Sequence, residues 1–383
     1  MTTDARAALR EEIRRVVGSF PGPYWQEVDR TEAYPEAFVQ TLTELGYLAV
    51  LVPEEFGGAG LGISEASVIL EEIHHGGGNA AACHAQMYTM GTLLRHGSPE
   101  MKARYLPEIA KGTLRLQAFG VTEPDAGSDT TRISTVARRV GDSYVLNGQK
   151  TFISRVEFSD LMLLLARTTP ADQVERRTDG LSVFLVDLRE AGGHLEWSRI
   201  PLMFNHHSYQ VFLSDLEIPA SQLVGEEGMG FRYIIDGWNA ERCLIASEAI
   251  GDGHFFVERA AAYASSRSVF GRLIGENQGV QFPIAAAHAS VEAASLMRDL
   301  AAERFDAGQP CGPQANMAKL LASKASRQAG DAAVVAFGGS SFMVENDIER
   351  KLRETMLFEV APVSNNLVLA YLAQNVLGMP RSY

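Results

Sequence analysis

Hydrophobic periodicity divides the chain into three stretches. From residue 4 to about 117 apolar positions recur at helical spacing, with breaks at Phe20–Pro23, Pro53–Gly62, Gly76–Gly78 and Gly97–Pro99. The run Glu65–His74 places Ala66, Ile69, Leu70 and Ile73 on one face, which predicts a core helix. From about 118 to 224 the pattern shortens to β-rich runs: Tyr144–Leu146, Leu161–Ala166, Leu181–Val186 and Tyr209–Leu213. Asn147–Gly148 and Gly192–Gly193 read as turns between them. From about 229 to 380 helical period returns in Ala-rich segments broken at Gly271–Gly279, Asp306–Pro313 and Gly338–Gly339. The order predicts an α+β multidomain chain: a helical domain at 1–117, a middle β domain at 118–225 and a helical bundle at 226–383. No repeat of solenoid spacing and no low-complexity linker interrupts it.

Composition narrows the function. The 383 residues hold 47 acids against 34 bases, a formal charge of −13, which argues against a nucleic-acid partner. With 46% hydrophobic and 21% charged residues the chain is globular. No apolar run reaches the roughly 18 residues that span a bilayer, so no membrane role is expected. The N-terminal stretch mixes both charge signs and lacks the apolar core of a signal peptide. Cys83, Cys243 and Cys311 form no CxxC pair, so neither a disulfide scaffold nor a cysteine metal site is expected, and the expected address is cytoplasmic. No GxGxxG follows a predicted strand and no Walker loop is present, so a redox cofactor must be held in another way.

The most specific string is Gly120–Asp129, GVTEPDAGSD. It offers the Thr122 hydroxyl and backbone N–H groups in a tight loop, suited to an electron-rich ring edge or a phosphate. It resembles the flavin-loop signature of the acyl-CoA dehydrogenase family. Val52–Gly62 (VPEEFGGAGLG), Leu146–Ser154 (LNGQKTFIS), Gly225–Tyr233 (GEEGMGFRY), Arg267–Gln278 (RSVFGRLIGENQ) and Phe337–Gly339 (FGG) are similar to further family motifs, in the family's order. The resemblance spans the chain and implies an N-terminal helical domain, a central β-barrel domain and a C-terminal four-helix bundle. It implies FAD lined by Phe119, Val121, Thr122, Ser128, Phe152 and Ser154, with Ser128 also touching the CoA side. Phe152 stands where the family usually has Trp and Ser154 where it usually has Thr; an aromatic face and a hydroxyl donor are kept.

The bundle is expected to complete the flavin site of a neighbouring subunit, so a homo-oligomer, tetramer or dimer, is implied. Arg267 has a cationic fork suited to pyrophosphate, Phe270 can cover the adenine, Gln278 can hydrogen-bond it, and Gly338 and Gly339 allow close backbone approach. Ser364 and Asn366 are further flavin contacts by the same resemblance. Val335 replaces the Gln that the family usually places three residues before the Gly pair.

The implied reaction is α,β-dehydrogenation of an acyl-CoA thioester to the trans-2-enoyl-CoA, with hydride passed to FAD. Its α-proton needs a base whose pKa an apolar site has raised. Two glutamates compete. Glu241 lies with Ile234, Trp238 and Ile245 in an apolar stripe at i, i+4, i+7 and i+11, and a Glu before the helix Arg, here Arg242, is the base position of the isovaleryl-CoA and long-chain branches. Glu359 resembles the "YEGT" glutamate of other branches, but a register anchored on Arg353–Glu354 puts that position on Pro362. Glu241 is therefore the expected base, with Asn239 and Arg242 as substrate contacts. At Pro362, where the family uses a backbone N–H for the thioester oxygen, proline has none; the Val363 N–H or the flavin hydroxyl remain. His74–His75 and His206–His207 are read as structural or surface pairs, because adjacent side chains point apart and no carboxylate lies at ligand spacing; no metal is expected. The expected activity is an FAD-dependent acyl-CoA dehydrogenase of fatty acid metabolism, acting on a branched or bulky acyl group and passing electrons to an electron-transfer flavoprotein. An acyl-carrier-protein dehydrogenase, a flavin oxidase of the same fold and a catalytically silent FAD-binding partner subunit are the alternatives.

Overall fold

The structure is a computed structural model that describes residues 3–382. Six helices come first: α1 Thr3–Gly18, α2 Gly22–Arg30, α3 Glu36–Glu44, α4 Ile63–His75, α5 Ala81–His96 and α6 Pro99–Lys111. The predicted core helix is α4, and it is buried nearly all round. That fits its position between α1 and the C-terminal bundle. Buried Arg298 ties this sandwich together by pairing with Glu71 of α4 and donating to Ser247 at 2.7 Å, while Arg10 of α1 reaches Glu71 at 2.7 Å. Asp306 accepts the Ile63 and Ser64 N–H groups at 2.7 and 2.9 Å, filling donors that the first turn of α4 leaves open.

The strands are β1 Leu116–Gly120, β2 Val136–Val140, β3 Ser143–Ser154, β4 Leu161–Arg167, β5 Leu181–Asp187, β6 Leu195–Ile200, β7 Ser208–Pro219 and β8 Leu223–Val224. They make one eight-stranded sheet of order β6-β7-β3-β2-β4-β5-β8, with β1 parallel to β4. The middle domain is thus a mixed sheet in which β6, β8 and β1 each pair with one neighbour. β4 and β5 are buried on both faces, which explains why their sequences run apolar without alternation. Asn147–Gly148 corrects the sequence expectation. The pair is not a turn: it lies inside β3 at a register shift against β7, with Gly148 at φ 153°. A Cβ there would come within 2.4 Å of Thr135, so glycine serves close approach of two backbones.

The third part holds α7 Gly230–Ala264, the short hairpin β9 Ser268–Val269 and β10 Arg272–Leu273, α8 Gln278–Asp306, α9 Gly312–Phe337, α10 Ile348–Thr355 and α11 Asn365–Tyr371. The long helices, of 35, 29 and 26 residues, pack through alanines such as Ala246, Ala294 and Ala318. Small side chains let the backbones approach closely. Among the described residues no helix is long and apolar enough to cross a membrane.

Candidate functional site

The loop Gly120–Asp129 is shaped by a buried ion pair. Lys150 Nζ donates to Glu123 Oε1 at 2.9 Å and to the Val121 carbonyl at 3.0 Å. Glu123 also accepts from the N–H groups of Ser134 (2.6 Å) and Thr135 (2.9 Å) and from the Ser134 hydroxyl (2.8 Å). Burial pushes the Glu123 pKa up, but the Lys150 charge and these donors outweigh it and hold the carboxylate at about 2. For Lys150 burial wins, and its ammonium is brought down to about 8. The loop is further pinned by Thr151, whose N–H donates to the Thr122 carbonyl at 2.9 Å.

Directly after this contact β3 bulges between Lys150 and Ile153. Phe152 takes φ 57° and is 60% exposed, a backbone conformation that costs energy and persists only where the surroundings impose it. An outward aromatic face, the half-buried Val121 and Thr122, and open space around Gly127 together form a cradle. This donor set fits a flavin: a flat ring against Phe152, with hydroxyls and loop N–H groups for its polar edge and phosphates. Ser154 Oγ lies 3.1 Å from His206 Nε2. Burial, followed by the neighbouring Arg155 charge, lowers the His206 pKa to about 3, so this imidazole is neutral. Arg155 is itself buried and has no ion pair among the described residues.

Across from the loop stands α7. Glu241 is buried beside Ile234 and Ile245, as the apolar stripe predicted. Burial raises its pKa, opposed by His84 and Arg242. His84 Nε2 lies 3.7 Å from Glu241 Oε1, the His84 and Tyr88 rings are 5.6 Å apart, and Tyr88 meets Phe119 of β1 at 5.8 Å. Through α5, therefore, Glu241 and the flavin-loop strand share one site. Arg242 lies over Trp238 at 5.8 Å and donates to Asn239 Oδ1 at 3.3 Å; its Nε has no partner among the described residues. Glu359 occupies the turn Met356–Glu359, where its carbonyl accepts from buried Lys319 at 3.4 Å. Ser364 caps α11 by accepting the Leu367 N–H, and Asn366 and Ser128 are exposed.

Arg267, Phe270, Gln278, Gly338 and Gly339 lie elsewhere. Roughly 35 Å of helix separate Glu241 from the end of α7. There Tyr263 stacks on Phe337 at 4.1 Å, bringing the β9–β10 hairpin beside the end of α9. Phe270 is fully exposed at φ 53°, and Gly338, at φ 56°, faces open space. These residues thus lie at the far end of α7 from Glu241 and the Gly120–Asp129 loop.

Sequence reasoning missed His84, Glu248, Arg155 and Lys319. None sits at a position that the motifs marked: Arg155 directly follows Leu146–Ser154, and Glu248 lies two turns beyond Glu241. Of the histidine pairs, His74 and His207 take buried, structural places. His74 is buried with Nδ1 2.8 Å from Asp252, and His207 packs against Phe158 at 4.9 Å. No cluster suited to a metal occurs among the described residues.

Comparison with known proteins agrees with this layout. Residues 3–113 match the family described as acyl-CoA dehydrogenase, N-terminal domain, 118–212 its middle domain and 228–377 its C-terminal domain. Acyl-CoA dehydrogenase FadE12 of Mycobacterium tuberculosis (strain ATCC 25618 / H37Rv) is 35% identical over 100% of this chain and 98% of its own. Cyclohex-1-ene-1-carbonyl-CoA dehydrogenase of Syntrophus aciditrophicus (strain SB) is 34% identical over 98% and 90%. Among solved structures, PigA with FAD and proline superposes with a TM-score of 0.92 at 26% identity, covering 99% of each chain.

Proposed function

The chain belongs to the acyl-CoA dehydrogenase family and is an FAD-dependent acyl-CoA dehydrogenase, and from that premise we propose that Glu241 is its catalytic base. The observation that carries this assignment is a carboxylate buried on α7, raised in pKa and joined through His84 and Tyr88 to the loop that cradles the cofactor. FAD supplies the acceptor for the β-hydride. Glu241 removes the α-proton, and its raised pKa brings its proton affinity nearer to the task. Val121, Thr122, Phe152 and Ser154 hold the ring system. Phe119 and Ser128 would line the FAD as well, with Ser128 also meeting the CoA side. Asn239 and Arg242 line the substrate end, and Ser364 and Asn366 contact the flavin from the C-terminal loop.

Arg267, Phe270, Gln278, Gly338 and Gly339 serve the FAD of a second protomer. Their distance along α7 from Glu241 supports this, as do exposed apolar residues on the bundle, including Leu296 and Phe342 at 72% and 75% exposure. A homotetramer or dimer follows, with domains at 1–117, 118–225 and 226–383. The similarity to a cyclohexene-carbonyl-CoA enzyme supports a bulky or branched acyl group, and we assign the electrons to an electron-transfer flavoprotein. A place in fatty acid metabolism and a cytoplasmic address complete the proposal; the buried, unpaired Cys83, Cys243 and Cys311 support the latter. Anaerobic titration of the purified flavoprotein with acyl-CoAs of varied length and branching tests it. Bleaching of the flavin band by a branched or cyclic thioester, with slow reoxidation in air, is expected. No bleaching by a branched or cyclic thioester would overturn the proposed substrate class, and fast reoxidation in air would contradict the assignment of electrons to an electron-transfer flavoprotein.

A further inference from the structure

His84 of α5 stands between two carboxylates of one helix. Its Nε2 is 3.7 Å from Glu241 Oε1 and its Nδ1 is 3.3 Å from Glu248 Oε1. Glu241 and Glu248 are two turns apart on α7, so both project from one face, and the imidazole bridges them. All three side chains are buried. Two ionised carboxylates so close, away from water, need a cation between them.

The surrounding elements leave His84 in that role. His74 of α4 approaches Glu248 at 3.8 Å, but its Nε2 accepts the Ala80 N–H at 3.1 Å and has no proton to offer there. Lys351 of α10 is committed to Asp252 and Glu354. Arg155, after β3, acts on His84 and Glu248 without reaching ion-pair distance of either glutamate. On α7 itself Arg242 turns to Asn239 and Trp238. Tyr88 of α5 faces Glu241 as a neutral phenol, its pKa pushed up by burial. Burial works against the His84 imidazolium, yet the Glu248 and Glu241 charges outweigh it and raise its pKa.

Taking Glu241 as the base, as assigned above, we propose that His84 is its positioning residue: bridging Glu241 and Glu248, it orients the base and supplies the cation that keeps it ionised before the substrate arrives. Glu248 is the fixed anion that keeps His84 charged. Removing the cation alone leaves Glu241 facing Glu248 unscreened, so its proton affinity rises. Removing Glu248 as well cancels that repulsion.

The test is the acid limb of the rate of anaerobic flavin reduction by acyl-CoA, in holoenzyme with flavin occupancy checked. In His84→Gln the limb should rise by roughly 1–3 pH units, the usual effect of one opposite charge at this range. In His84→Gln/Glu248→Gln it should fall back toward the wild-type position. A purely structural His84 predicts the opposite, added damage in the double variant with no return of the limb. An unmoved limb in His84→Gln, or a double variant shifted further upward, overturns the proposal. If His84→Gln does not retain flavin, the double variant decides alone, because it removes the Glu248 charge that loss of His84 leaves facing Glu241; a limb above the wild-type position, or failure to retain flavin, overturns it. Glu241→Gln run alongside separates the two claims. If that variant still bleaches, the base assignment has failed; if it is inert while the His84 limb stays put, only the positioning role has.

Discussion

Replacing Lys150 with methionine should destabilise the flavin loop by an amount the structure fixes. Lys150 is fully buried, and its ammonium has two partners, Glu123 Oε1 at 2.9 Å and the Val121 carbonyl at 3.0 Å. Methionine fills most of the same volume, so little packing is lost, but Glu123 is left as a buried carboxylate with only three hydrogen-bond donors. Breaking one side of a buried pair costs about 3–5 kcal/mol. With an unfolding entropy near 2.1 cal/mol/K per residue, that is a fall in Tm of roughly 4–6 °C for a chain of this size unfolding as one unit. Flavin should leave before the global transition, because Val121 and Thr122 lie on the loop that Glu123 anchors. Thermal unfolding followed in parallel by circular dichroism and flavin fluorescence reads both events. Adding Glu123→Gln should recover at least half of the loss, since the buried charge is gone and the amide oxygen, placed at the Oε2 position, can still accept from the Ser134 N–H and hydroxyl. A Lys150→Met protein within 1 °C of wild type, or a double variant no better than the single one, would refute the reasoning.

Other consequences follow from the same geometry. Burial pushes the Glu71 pKa up, but the Arg298 and Arg10 charges hold it at about 2; its stabilising share is present above the unfolded value near 4.3 and is lost as pH falls through 2. Glu71→Gln should therefore cost about 3 kcal/mol or more at pH 7 and progressively less from pH 5 downward, as read by denaturant unfolding at several pH values; a pH-independent difference would contradict it. Arg267→Ala should lower the flavin-to-protein ratio after gel filtration while leaving the circular dichroism of the chain unchanged, and a monomer carrying full flavin would sink the shared-site proposal. Glu359→Gln should keep activity within a few-fold in a dye-reduction assay; a dead but flavin-loaded variant would reject the register anchored on Arg353–Glu354.

The helix–sheet–helix order was legible because its cause is periodic: α4 buries the Ala66, Ile69, Leu70 and Ile73 face, and β4 and β5 are short apolar runs. Asn147–Gly148 was misread because the same dipeptide that suits a hairpin turn also suits a bulge where Thr135 comes too close for a side chain. Glu241 was marked as a carboxylate within an apolar stripe, but the stripe alone fits a structural ion pair as well, and the family resemblance at Glu241–Arg242 tipped the choice. Its setting was not marked. His84 sits in a run, CHAQMY, that looks like helix core, and its relation to Glu241 and Glu248 depends on how α5 crosses α7, a contact between residues more than 150 positions apart. Lys150 and Glu123 were likewise visible within motifs, but nothing in either string said that they face each other. The separation of Arg267 and Gly338 from Glu241 follows from helix length alone, once α7 is known to be continuous.

The base assignment is tested most directly by anaerobic stopped-flow mixing of Glu241→Gln holoenzyme with an acyl-CoA that bleaches the wild-type flavin. The amide cannot accept the α-proton, so bleaching should slow by on the order of 10²–10⁴-fold or more, with flavin occupancy and thioester affinity retained. A variant that loads flavin, binds the thioester and bleaches within a few-fold of the wild-type rate would contradict the account.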